Sequence, residues 1–96
     1  MLTHIVMWKY RSDTSQDTRD EHVERLRSLN AVVPGIESFS VGVDILHAPN
    51  SYDTGLVASF RNRAALDDYA VHPDHVKVVE FGRSICDKMA KVDFEA

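Results

Sequence analysis

The sequence holds a single cysteine, Cys86, so no disulfide can form within the chain. That fits a reducing compartment, and a cytoplasmic location is expected. A lone cysteine in an apolar strand is more often a small core residue than a nucleophile. Basic residues are not in excess either: 11 Lys and Arg stand against 15 Asp and Glu, a net charge of −4. They are scattered among acids and form no stripe. No nucleic-acid partner is expected, because phosphate contact needs concentrated positive charge. No apolar run approaches the ~20 residues that cross a bilayer, so no membrane partner is expected. The opening MLTHIVMWKY has neither a basic n-region nor a small-residue cleavage site, which argues against a secretory signal. Internal repeats, linkers and low-complexity segments are lacking too.

What is present is an ordinary globular composition, 44% hydrophobic and 27% charged over 96 residues. This predicts one domain over residues 1–96, with a modest core. Residues 2–10 alternate on a period of two, with Leu2, His4, Val6, Trp8 and Tyr10 on one face and Thr3, Ile5, Met7 and Lys9 on the other. They predict a strand whose two faces are both largely apolar. A helix is expected from about Thr18 to Val33, opened by a Thr18/Glu21 capping box. Val23, Leu26, Leu29 or Asn30, and Val33 form its apolar stripe, and Pro34-Gly35 stops it. Residues 36–46 alternate again, with Phe39, Val41, Val43 and Ile45 opposite Ser38, Ser40, Gly42 and Asp44. Residues 54–60 predict a short buried strand. Asn62 caps a helix from Arg63 to about Val71. A further helix runs from about Pro73 to Gly82 with Val76 and Val79 inside, and residues 84–95 close the chain as a fourth strand.

The order β-α-β-β-α-β, with its second helix split, predicts a ferredoxin-like α+β fold: an antiparallel four-stranded sheet with helices on one side. Helices on one side leave the other side of the sheet bare, yet the strands are apolar on both. A second copy of the chain is the expected cover, giving a homodimeric α/β barrel.

The stretch YAVHPDH, the N-terminal HIVMWK and the segment VPGIESFSVGVD together resemble the stress-responsive A/B-barrel family, whose units are called Dabb domains. His4, Pro34-Gly35, Gly42, Phe60 and the run from Tyr69 to His75 fall where that family's pattern has them. The resemblance covers nearly the whole chain and implies a dimeric α+β barrel. Some plant members of the family are polyketide cyclases, which catalyse an intramolecular aldol condensation without metal or cofactor. The resemblance implies His75 as catalytic base, Tyr69 as its hydroxyl partner and His4 as a neighbouring polar group. In the third strand this chain has Thr54 where those cyclases have a further histidine.

The HPDH motif can also be read from its own chemistry. Pro73 turns His72 away from helical geometry and suits the first helical position. His75 then lies in the first helical turn, where the positive end of the dipole disfavours an imidazolium. A neutral imidazole can accept a proton α to a carbonyl, and Tyr69 can hold the enolate oxygen. The alternative is structural: His72 and His75 satisfy backbone groups at a joint between helices, Tyr69 and His4 are core, and the chain is a non-enzymatic stress-response dimer or a ligand-binding accessory protein. His72, Asp74, His75 and His4 are ligand types for a metal, but proline separates the two motif histidines, and neither a metal nor another cofactor is expected. His22 and His47 are expected at the surface or its boundary. Trp8, Val6, Leu26, Leu66 and His72 are the expected lining of a pocket for a small, partly apolar carbonyl or polyketide-like compound.

Overall fold

The computed structural model describes residues Met1–Ala96. Its elements run β1 (Leu2–Tyr10), α1 (Gln16–Val32), β2 (Ile36–Val43), β3 (Thr54–Phe60), α2 (Arg63–Val71), α3 (Pro73–Ile85) and β4 (Cys86–Glu95). The four strands form one antiparallel sheet in the order β2-β3-β1-β4, the ferredoxin-like arrangement. No helix is long and apolar enough to cross a membrane.

Period-two alternation sorts β1 and β3. Leu2, His4, Val6, Trp8 and Tyr10 are buried, as are Thr54, Leu56, Ala58 and Phe60 beside them. This is the face the helices cover. On the opposite face Met7, Val57, Val92 and Phe94 stay exposed. Register places Phe94 beside Thr3, Val92 beside Ile5 and Val57 beside Ile5, so the exposed apolar residues are contiguous across three strands.

Several boundaries differ from those expected. α1 starts two residues earlier, because Ser15 is the N-cap: its Oγ accepts from the Thr18 amide at 3.2 Å. Glu21 does not close a capping box. It pairs with Arg25 one turn on, as helical spacing favours. β2 stops at Val43, not residue 46. There the Asp44 carboxylate accepts the His47 amide and His47 adopts φ 52°, which turns the chain. Gly35 takes φ 88° between α1 and β2, a conformation that costs other residues more. α3 continues to Ile85, and β4 begins at Cys86 rather than 84. The inner face of α3 is His75, Val78, Val79 and Gly82, at spacings of three, four and seven; Val76 points outward. Leu29, not Asn30, completes the stripe of α1.

His22 is the largest departure from expectation: it is fully buried. It sits on the same stripe as Leu26 and Leu29 and packs edge-on against Trp8 and Tyr10, at 5.1 and 5.5 Å between ring centroids. Its Nδ1 bonds the Tyr10 hydroxyl at 2.8 Å, and that hydroxyl bonds Thr54 Oγ1 at 2.9 Å. Nε2 has no partner. Burial, with a smaller contribution from the Arg25 charge, lowers its pKa to about 4, so the ring is neutral at pH 7.

Candidate functional site

A cavity of about 760 Å³ lies between the sheet and the α2–α3 pair. Its floor is the helix-facing side of β1, with Leu2, His4, Val6 and Trp8, together with Leu56 on β3. Leu26 of α1 closes one side. Leu66, Tyr69, His75, Val78 and Val79 form the roof. The edge strand β4 supplies Met89, Lys91 and Asp93 at the mouth, opposite Arg63, Asp67 and Arg83. The walls combine a majority of apolar side chains with histidines and charged groups, a lining that can hold an apolar body and orient its polar end.

Two helices build the roof because His72-Pro73 interrupts one. Asn62 starts α2 by accepting the Ala65 amide at 3.0 Å. His72 ends α2 and caps α3, its Nδ1 accepting the Asp74 amide at 3.1 Å. The joint folds α3 back so that His75 packs on Tyr69 at a tilt of 41°, with ring centroids 4.1 Å apart. Tyr69 packs in turn on Phe60 and edge-on to His4, at 5.1 and 5.9 Å. Tyr69 thus lies between two imidazoles.

Each polar group has a definable state. His75 Nδ1 lies 3.1 Å from the Ala70 carbonyl, which can only accept, so Nδ1 carries the hydrogen and Nε2 the lone pair. Burial lowers the His75 pKa most; the Ala70 bond opposes this, and the charges of His4, His72 and Lys91 reinforce it. Burial raises the Tyr69 pKa, so the phenol keeps its proton. Its hydroxyl has no partner in the chain, and His22 Nε2 is the one fully enclosed side-chain polar atom without one, so the Tyr69 hydroxyl reaches the open cavity. His4 bonds the Asp93 carboxylate through Nδ1, and Lys91 lies 3.6 Å from the same carboxylate. Since the carboxylate accepts, His4 presents Nε2 away from Asp93.

Of the residues singled out from sequence, His4, Tyr69, His75, Val6, Trp8, Leu26 and Leu66 all line this cavity. His72 does not: its ring nitrogen is committed to the start of α3. Thr54 is sequestered with Tyr10 and His22 behind Trp8. His47 is exposed in the β2–β3 loop. The motifs of the sequence miss Asp93. Its only sequence signal is an acid on the helix-facing parity of the last strand, which has meaning once β4 is known to pair with β1 and place Asp93 opposite His4. No three His, Cys, Asp or Glu side chains converge as metal ligands. Burial, and then the Asp53 charge, push the Cys86 thiol up to about 11, which leaves it protonated and weakly reactive.

Residues 2–96 match the family described as Stress responsive A/B Barrel Domain. The chain is 29% identical over 100 residues to a stress-response A/B barrel domain-containing protein of Arabidopsis thaliana; the match spans all of this chain and 37% of that relative's length. It is 20% identical to olivetolic acid cyclase of Cannabis sativa, over 97% of this chain and 94% of the cyclase. Among solved structures, a dimeric ferredoxin-like protein from Jannaschia sp. CCS1 superposes with a TM-score of 0.82 at 31% identity, covering 99% of this chain and 98% of that one. Hydroxynitrile lyase from Passiflora edulis superposes with a TM-score of 0.86 at 18% identity, covering 97% and 90%.

Proposed function

The chain belongs to the stress responsive A/B barrel domain family, and on that premise we propose that it is a homodimer whose cavity takes a small, partly apolar carbonyl compound and performs cofactor-free cyclase or lyase chemistry on it. One observation carries the reading. A phenol that keeps its proton and an imidazole lone pair, neither engaged by the protein, belong to two rings in contact on one mainly apolar cavity.

Removal of a proton from the carbon beside a carbonyl needs a base that is free at neutral pH and a donor for the oxygen that becomes negative. His75 Nε2 is the base. The Tyr69 hydroxyl donates to the carbonyl oxygen and holds it as the enolate forms. In a cyclase the electron pair released at carbon then forms a bond to a second carbonyl carbon of the same molecule, whose oxygen becomes an alkoxide; in a lyase the reverse runs, with His75 taking the proton of a hydroxyl group, the adjacent C–C bond breaking as that oxygen becomes a carbonyl, and the electron pair departing on the leaving carbon. The proton on His75 returns to the alkoxide or leaving carbon. His4, oriented by Asp93, faces Tyr69 and supplies a second hydrogen-bonding group to the oxygen. The chain's relatives include a cyclase and a lyase. Pairing of identical chains over the bare sheet face accounts for the exposure of Met7, Val57, Val92 and Phe94, and the Jannaschia neighbour is itself described as dimeric.

The test is turnover on a panel of β-keto compounds and polyketide-like thioesters by wild type, His75→Asn, which keeps an N–H for the Ala70 carbonyl, and Tyr69→Phe. The reading expects both variants to fold as the parent does and to lose at least about a hundredfold in kcat/KM, the usual contribution of a positioned acid or base. Turnover that is unchanged in both variants refutes the assignment. Unchanged fold with ligand binding but no turnover by any form transfers the site to a binding role.

A further inference from the structure

We infer that the Trp8 end of the cavity is a carboxylate subsite, built from the Trp8 indole N–H and the Arg83 guanidinium, which makes the carbonyl compound of the reading above an elongated keto acid. The inference rests on that reading for the carbonyl end and adds the chemistry of the other end.

The cavity has two polar poles. Along β1, His4 and Trp8 are about 13 Å apart at the rise of a strand. Along α3, His75 and Arg83 are about 12 Å apart at the rise of a helix. The two rulers lie side by side. His4 and His75 both meet Tyr69 at one end. At the other end a Cβ placed on Gly82 would stand 3.5 Å from Trp8 Nε1. Val6, Leu56, Val78 and Val79 make the apolar stretch between the poles.

At the Trp8 pole two donors lack acceptors. An indole nitrogen can only donate, and that of Trp8 has no partner in the chain. It is not enclosed either, since His22 Nε2 is the one enclosed side-chain polar atom left unpaired. A tryptophan as buried as this one ordinarily finds an acceptor for its N–H. Here the N–H is left to the cavity that Trp8 lines, and Gly82 has no side chain to cover it. Arg83 follows Gly82 on α3. Of the Lys and Arg side chains in the lining, Arg63 pairs with Asp67 at 2.9 Å and Lys91 with Asp93 at 3.6 Å, while Arg83 has no acid partner. On β4, Asp93 and Glu95 stand opposite His4 and Leu2, whereas neutral Met89 stands opposite Trp8. The acids of the strand are thus gathered at the carbonyl end, and the unpaired cation is at the other. A guanidinium fork and a neutral N–H facing one space suit the two oxygens of a carboxylate.

Binding, not turnover, tests the subsite. The probe is 10-oxoundecanoate, whose extended chain holds its carboxyl about 11 Å from its ketone. Its methyl ester and its isomer 4-oxoundecanoate are the comparisons. Calorimetry at neutral pH is expected to show the wild type binding the acid at least about tenfold tighter than the ester, as one charge-assisted contact provides. Arg83→Gln should abolish that preference and Arg83→Lys should keep part of it. Trp8→Phe, which retains a ring and removes the N–H, should cut it about threefold. Lys77→Gln removes an exposed cation of α3 that lies outside the cavity, and should leave it unchanged. Acid and ester bound equally, or neither bound, overturns the inference. So does a preference that survives Arg83→Gln, is untouched by Trp8→Phe, or falls as far in Lys77→Gln. Failure at the carbonyl end reads differently. The wild type should favour 10-oxoundecanoate over 4-oxoundecanoate, and Tyr69→Phe should erase the difference. Isomers bound alike, with the preference for acid over ester intact and lost in Arg83→Gln, uphold the carboxylate subsite and remove only the carbonyl site at Tyr69.

Discussion

Removing the buried imidazole of His22 is expected to flatten the acid limb of stability. The ring is fully enclosed and its pKa falls from 6.5 to about 4 in the folded chain. The sign follows from proton binding: between those values the unfolded chain takes up a proton that the folded chain refuses, so stability rises with pH. Its contribution is complete above pH 6.5 and is lost progressively as pH falls towards 4. At ~1.4 kcal/mol for each tenfold ratio, the fall between pH 7.5 and pH 4.5 comes to about 2.5 kcal/mol for this one group. His22→Phe keeps an aromatic ring between Trp8, Tyr10 and Phe81 and removes the titration. Tyr10 still has Thr54 as a partner. The assay is urea unfolding of wild type and variant at both pH values, at one fixed protein concentration because assembly shifts apparent stability. The other histidines are common to both proteins and cancel in the difference. Wild type should lose about 2.5 kcal/mol more than the variant on acidification. Parallel losses would refute the enclosure of His22 and the neutral state derived from it.

The region around His22 supports a second expectation. A methyl at Gly82 would stand 3.2 Å from His22 Nε2 and 3.5 Å from Trp8 Nε1, so Gly82→Ala should destabilise by about 1 kcal/mol net, the overpacking exceeding the gain in helix propensity; thermal melting measures it. Asp93→Ala frees the His4 ring and should lower kcat/KM about tenfold to a hundredfold, the value of one hydrogen bond to a charged group, while Asp93→Asn, which can still accept from Nδ1, should recover part of it. An unaltered rate in Asp93→Ala would remove His4 from the mechanism. Because burial lowers the His75 pKa, the acid limb of kcat/KM should fall below pH 6.5 and the rate should be flat through neutrality, as a pH profile will report; a limb at or above 6.5 would exclude His75 as the base.

Local chemistry made much of the frame legible. β3 and α2 begin and end where alternation and the Asn62 cap put them, since both signals are confined to neighbouring residues. The cavity residues on β1 follow from the same alternation. What escaped depends on contacts far apart in sequence. His22 shares helical spacing with Leu26 and Leu29, but a histidine is equally at home in water, and only the arrival of Trp8 and Phe81 from other elements encloses it. Asp93 acquires its role through the β1–β4 register, 89 residues along the chain from His4. His72 and His75 look equivalent in the motif, yet one ring nitrogen meets an amide at the joint and the other ring packs on Tyr69. The proline between them makes that difference through backbone direction, not side-chain type.

The bond from His75 to the Ala70 carbonyl spans the elbow between the two roof helices. In the proposed mechanism the same ring serves as brace and as proton acceptor. Replacing it by alanine alters the aperture as well as the chemistry, whereas asparagine, with an amide N–H available for Ala70, preserves the brace alone. A descendant that gave up catalysis would be free to discard the Tyr69 hydroxyl or the His4 imidazole, but a donor at position 75 would still be needed to keep the roof in shape, and its persistence is no evidence that turnover persists.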